Sequence, residues 1–136
     1  AAREARLSFM LGGSRRDLDH LQPLFHAMGE HFHRMGPFGA GMSAKVLNNL
    51  LAASNTAMTR LVLDWAKGAG IDEGRLLELI GTSSGQKWFA DGFVEDNTIG
   101  SLVKDVEAAL DAAPDGAGTA LPEAVIAALR KLMPIT

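Results

Sequence analysis

The longest stretch without a charged side chain runs from Val46 to Thr59, and it constrains the fold more than any other feature of the chain. Apolar residues around it recur at helical spacing from Gly41 onward. The period predicts one helix from residue 42 to about residue 67, roughly 39 Å long at 1.5 Å per residue. A helix with an uncharged middle needs neighbours on nearly every side. The run falls short of the ~20 apolar residues that span a bilayer, and it contains Asn48, Asn49, Ser54, Asn55 and Thr56. The expectation is a buried helix and no membrane partner.

The segment before this helix has a different pattern. Leu7 to Leu11 is a short apolar run closed by Gly12 and Gly13, which reads as a strand. Leu18, Leu21, Leu24, Phe25 and Met28 follow at helical spacing and stop at Gly29, and "EHFHRMG" then alternates up to Gly36. Strand, helix and strand of this length form a fragment of an α/β layer, too small to cover both faces of a sheet. After the long helix, "KGAG" offers Gly68 or Gly70 as a left-handed cap, and Asp72 caps a short helix through "DEGRLLELI". Trp88 and Phe89 are anchors in a polar connection. Thr98 is placed to cap a helix whose apolar face is Ile99, Leu102, Val103, Val106, Leu110 and Ala113, and Pro122 suits the first position of a last helix through Met133. The expected fold class is mainly α: an all-helical C-terminal domain over 37–136, built around the long buried helix. A strand-helix-strand remnant of an α/β domain over 1–36 precedes it.

Charge narrows the partners. A net charge of -3 and a pI near 5.8 leave no basic footprint for nucleic acid. The chain has no cysteine, so disulfides and thiolate chemistry are excluded, which fits a cytoplasmic location. "AAREARLSFMLGG" holds too short an apolar run for a secretory signal. His31 and His33 face the same way on a strand, with His20 and His26 near in sequence. No pair of carboxylates completes a metal-binding pattern, so no metal is expected. Arg15 and Arg16 could approach an anion but read more simply as a solvated face.

The glycines at 36, 39 and 41 invite comparison with phosphate loops. A Walker loop needs lysine and then serine or threonine after its last glycine, but Met42 and Ser43 follow Gly41. Gly39 to Ala44 satisfies G-x-G-x-x-G/A, with Asp64 about 20 residues on. That acidic residue should end a second strand, and here it falls inside the long helix. What remains is an entry without bulky side chains to a helix that carries Lys45 and Asn49 four residues apart, hence on one face. Ala52, Ala53 and Thr56 continue that face. An ammonium near a helix N-terminus is unfavourably placed in the dipole, and partial burial would disfavour its charge further. Both effects suit proton transfer. The plainer alternative has Lys45 reaching solvent and Asn49 bonding a neighbouring helix.

"GPFGAGMSAKVLNN" resembles the hallmark of the β-hydroxyacid dehydrogenases, the family of 3-hydroxyisobutyrate dehydrogenase and relatives of 6-phosphogluconate dehydrogenase. The pattern G-x-x-G-x-G-x-x-x-K-x-x-x-N falls on Gly36, Gly39, Gly41, Lys45 and Asn49 without a gap. "LSFMLGG", "LVKDVEAALDAA" and "ALPEAVIAAL" are similar to further segments of the family, so the resemblance covers essentially the whole chain. It implies an NAD(P)-dependent oxidoreductase acting on a small β-hydroxy acid. Lys45 would be the general acid/base, while Asn49, Gly39 and Gly41 would line the substrate. Lys104, beside Asp105, would lie near the cofactor, although its helical angle also fits a surface lysine. Leu61 stands where many members carry glutamate.

The resemblance also implies that this chain is the C-terminal part of such an enzyme, lacking the N-terminal Rossmann domain and inactive alone. The family's serine-glycine-glycine motif would be cut at Ala2. A homodimer or higher homo-oligomer is expected, because an isolated domain of this kind would expose apolar surface. The competing expectation is a non-catalytic helical dimerisation or interaction module derived from such an enzyme.

Overall fold

The computed structural model describes residues 4–85 and 99–133. Ala2, Trp88, Phe89 and Thr98, given roles above, lie outside the described residues. The elements run β1 (Leu7–Gly12), α1 (Arg15–Met28), β2 (Gly29–Gly36), α2 (Ala40–Gly68), α3 (Glu73–Gly81), α4 (Ile99–Asp111) and α5 (Ala120–Arg130). They form two compact units, residues 1–48 and 49–136.

In the first unit β1 and β2 pair in parallel, with Ser8 opposite His31, Phe9 opposite Phe32 and Met10 opposite His33. Parallel strands need a crossover, and α1 supplies it. Ser14 caps α1 by accepting a hydrogen bond from the Asp17 amide at 3.1 Å. Phe9 holds the layers together: its ring lies 5.3 Å from that of Phe25 on α1 and stacks at 5.9 Å on Phe32 of β2. Leu18 is buried, whereas Leu21 and Leu24 on the same helix are exposed, as expected of a layer too small to cover its own apolar face.

The start of α2 is seated on the end of β1. A Cβ on Gly41 would lie 2.1 Å from the Met10 carbonyl oxygen, and one on Gly12 would lie 2.7 Å from the Gly41 nitrogen. Only glycine permits this backbone-to-backbone approach. The turn between β2 and α2 also uses glycine for its dihedrals, with φ of 133° at Gly36 and 90° at Gly39. At its far end α2 stops in a Schellman motif: Gly70 takes φ 73°, Ile71 donates to Ala66 O at 2.9 Å and Gly70 to Lys67 O at 3.1 Å.

In the second unit α4 and α5 pack on one face of α2. Ala53 and Ala57 join Ile99, Leu102, Val103, Val106, Val125, Ile126 and Leu129 in a single buried cluster. Hydroxyls inside α2 are satisfied locally: Ser54 donates to Leu50 O at 2.8 Å and Thr56 to Ala52 O at 3.1 Å. Asp72 caps α3 by accepting from the Arg75 amide at 3.0 Å.

Three expectations need correction. The class is α/β rather than mainly α with an all-helical domain, because a parallel β–α–β unit carries the start of the long helix. Neighbours on nearly every side of α2 were expected; instead one stripe is buried, and Leu51, Met58 and Trp65 on the other side are exposed. Finally, α5 starts at Ala120, so Pro122 sits at the third position of the first turn, where its missing N–H still removes no helical bond.

Replacing Gly41 with alanine should destabilise the chain by at least ~2 kcal/mol, because the clash is with backbone that cannot swing aside. Gly100→Ala, where a Cβ meets nothing within 4 Å, should be neutral or stabilising by ~0.5 kcal/mol. Urea denaturation of both variants checks the contrast.

Candidate functional site

Gly39, Gly41, Lys45 and Asn49 lie along the turn into α2 and its first three turns. The amide of Ala40 donates to Pro37 O at 3.0 Å and that of Ser43 to Gly39 O at 3.1 Å, so the chain turns tightly and enters the helix at once. Gly41 is buried against β1, while Gly39 is exposed and a Cβ there would meet nothing within 4 Å. The two glycines therefore differ in role: Gly41 permits packing, and Gly39 permits a backbone angle and leaves open space. Lys45 follows one turn after Gly41, and Asn49 follows one turn after Lys45 on the same face of one unbroken helix.

Lys45 is exposed and Asn49 half-buried. The partial burial expected for Lys45 is thus absent from this chain. Phe38, in the same turn, is 95% exposed, and Met42, three residues before Lys45, is 66% exposed. The sequence reading passed over both, yet each is a large apolar residue beside the glycines. Lys104 lies on α4, exposed and away from the buried line of Leu102, Val103 and Val106.

A cavity of about 460 Å³ opens at the C-terminal ends of β1 and β2, lined by Gly13, Arg15, Leu18, Asp19, Arg34 and Gly36. The Gly13 amide donates to Gly36 O at 3.0 Å and closes its floor. Asp19 pairs with Arg34 across the cavity and with Arg15 at 3.9 Å. The hydrogen bond from Arg34 holds the Asp19 carboxyl below its ordinary 3.8, helped by the charges of Arg34 and Arg15 and opposed by desolvation. Arg15, which reads from the sequence more simply as part of a solvated face, lines this cavity with its side chain 91% exposed, and its pairing with Asp19 was not visible in the sequence. Among the described residues no group of three histidines, cysteines or carboxylates is placed to hold a metal. The His26 ring instead lies 4.5 Å from that of Phe32.

A family model described as the NAD-binding of NADP-dependent 3-hydroxyisobutyrate dehydrogenase matches residues 39–133. The mitochondrial 3-hydroxyisobutyrate dehydrogenase of Rattus norvegicus is 33% identical over 93 residues, 68% of this chain and 28% of the relative. An NAD-dependent L-serine dehydrogenase of Pseudomonas aeruginosa is 39% identical over 82 residues, 60% of this chain and 28% of the relative. Among solved structures, a 3-hydroxyisobutyrate dehydrogenase of Mycobacterium tuberculosis with L-serine superposes with a TM-score of 0.82 at 26% identity, over 96% of this chain and 50% of that one. The chain therefore spans about 28% of the length of these curated relatives and half of that structure. Because the matching model is described as NAD-binding, the expected fold class of an all-helical C-terminal domain is overturned. The expectation that the chain lacks the NAD-binding part loses its support for the same reason.

The Asp19–Arg34 pair carries a pH signature. A carboxyl depressed in the folded state favours folding above its unfolded value near 3.8, and that contribution is lost as pH falls through the lower folded value. Arg34→Met should raise the Asp19 titration midpoint towards 3.8 and remove this acid dependence, as read by NMR titration of the carboxyl carbon.

Proposed function

The chain belongs to the family described as the NAD-binding of NADP-dependent 3-hydroxyisobutyrate dehydrogenase, and from that premise we propose that it serves hydride transfer between a nicotinamide and a small β-hydroxy acid. The cofactor class is NAD or NADP. The substrates in the relatives' names, 3-hydroxyisobutyrate and L-serine, share a hydroxymethyl group on the carbon that bears the carboxylate, with methyl in one and ammonium in the other. A substrate of that form is the class we infer for this protein.

The observation that carries the reading is the gap-free passage from Gly39 and Gly41 to Lys45 and Asn49 along one helix face. Open space at Gly39 and exposure of Lys45 fit the approach of a flat ring and a small acid. The bound nicotinamide supplies the hydride acceptor or donor. Lys45 Nζ, as the neutral amine, takes the hydroxyl proton when the alcohol is oxidised, and as the ammonium it returns a proton to the carbonyl oxygen in reduction. The Asn49 carboxamide both donates and accepts, and so orients the substrate. Lys104 attends the cofactor as a second-rank site.

In this reading residues 1–36 belong to the tail of the cofactor-binding layer, while residues 37–136 hold the substrate and support a homodimer or higher assembly. The exposed apolar side chains of α2 also favour a second reading, a non-catalytic interaction module.

Lys45→Met in the complete gene product decides between the two. The expected loss in kcat/KM with NAD or NADP and a 2-substituted 3-hydroxypropanoate is roughly 10²- to 10⁴-fold, with an unchanged circular dichroism spectrum. Activity within twofold of the parent would remove Lys45 from the chemistry, and absence of turnover in the parent itself would leave the interaction module.

A further inference from the structure

The two faces of the β1–β2 sheet differ in chemistry. Phe9 and Phe32, paired across the strands and stacked at 5.9 Å, turn towards α1, where the Phe25 ring lies 5.3 Å from that of Phe9. Successive side chains of a strand point to opposite faces, so the neighbours Met10, His31 and His33 share the face turned away from α1. His33 is the direct partner of Met10, and His31, two residues earlier on the same strand, is opposite Ser8. With strands ~4.8 Å apart and a rise of ~3.3 Å per residue, the Cβ atoms of the three residues mark a triangle whose short sides are roughly 5 and 7 Å. Side chains as long as methionine and histidine can meet above a triangle of that size.

We propose that Met10, through its thioether sulfur, and His31 and His33, through one ring nitrogen each, form a binding site for a soft monovalent cation, Cu(I). Both histidines are exposed, and neither has a hydrogen-bond, ion-pair or ring partner among the described residues. His26 differs, since its ring is 3.3 Å from the Gln22 amide and 4.5 Å from the Phe32 ring. A neutral imidazole keeps one nitrogen as an acceptor, so each of the two exposed rings has a lone pair to give.

The third ligand sets the choice of metal. Among the described residues no group of three histidines, cysteines or carboxylates is placed to hold a metal, so Glu30, beside His31, does not complete the pair with an oxygen. Zinc is held by imidazole together with thiolate, carboxylate or further imidazole, and none of these arrives. Parallel pairing brings a sulfur instead, directly across from His33. Imidazole accepts several metals, whereas a thioether selects Cu(I). The chain has no cysteine, so no thiolate competes for the ion. The site lies wholly within the first compact unit and is independent of the dehydrogenase reading.

The full 136-residue chain, titrated into the Cu(I)–bicinchoninate complex under ascorbate and without oxygen, should withdraw Cu(I) to a single equivalent per chain. His33→Ala should weaken this uptake by at least about tenfold, the least that loss of even an outer-shell partner of a metal costs. Met10→Leu, close to methionine in volume, should weaken Cu(I) uptake similarly and leave any weaker binding of Zn(II) unchanged. Ag(I), a redox-inert mimic of Cu(I), should shift the Met10 methyl signal and the His31 and His33 ring signals together in NMR spectra of the parent, a readout that needs no variant. Three results would overturn the proposal. A parent that withdraws no Cu(I) has no such site, and uptake undiminished in His33→Ala would place the metal elsewhere on the chain. Uptake indifferent to Met10→Leu, with a Met10 methyl unmoved by Ag(I), would leave a bare histidine pair and remove the thioether from the site.

Discussion

Gly12 and Gly41 meet backbone to backbone, and the geometry of the long helix begins from that contact. A side chain at either position would occupy space already filled by the main chain of the other segment, at 2.1 Å from Met10 O for Gly41 and 2.7 Å from the Gly41 nitrogen for Gly12. The first turn of α2 is thereby seated on the end of β1. The helical repeat then sets which residues share a face. Lys45 and Asn49 fall on one side, and Leu51, Met58 and Trp65 fall on another.

That division inverts the usual economy of an amphipathic helix. In the cluster shared with α4 and α5 the buried α2 residues are Ala53 and Ala57, with Leu50 partly buried against them, whereas Leu51, Met58 and Trp65 on another side are large and exposed. Val106 and Leu129 are wholly buried in that cluster. Large apolar side chains facing outward lose free energy of transfer unless something covers them. The buried face therefore accounts for the stability of the second unit.

Much of the path of the chain was legible because glycines punctuate it. β1, α1 and β2 end at or within a residue or two of Gly12, Gly29 and Gly36, since each of those glycines sits where the direction changes. The fold class was not legible in the same way. Parallel pairing of residues 7–12 with 29–36 is non-local, and a helical period over the longer remainder of the sequence outweighed it. The family description of residues 39–133 as NAD-binding corrected the expectation of an all-helical domain that lacks the NAD-binding part, which no period or spacing could have decided. Within the candidate site, Gly39, Gly41, Lys45 and Asn49 were readable as a local pattern. The pairing of Asp19 with Arg34 was not, because the crossover through α1 brings together residues 15 apart.

The sequence by itself determined the long helix, its glycine entry and the i to i+4 relation of Lys45 to Asn49, because those follow from local dihedral preferences and the helical repeat. It also determined that the middle of the helix would be uncharged and needed cover. Only the tertiary structure decided which face receives that cover within the chain, and that Gly41 serves close packing while Gly39 leaves open space. It alone joined Arg34 to Asp19 and left Lys45 exposed. Burial and ion pairing depend on which distant segments arrive at a residue, and local spacing carries no record of that.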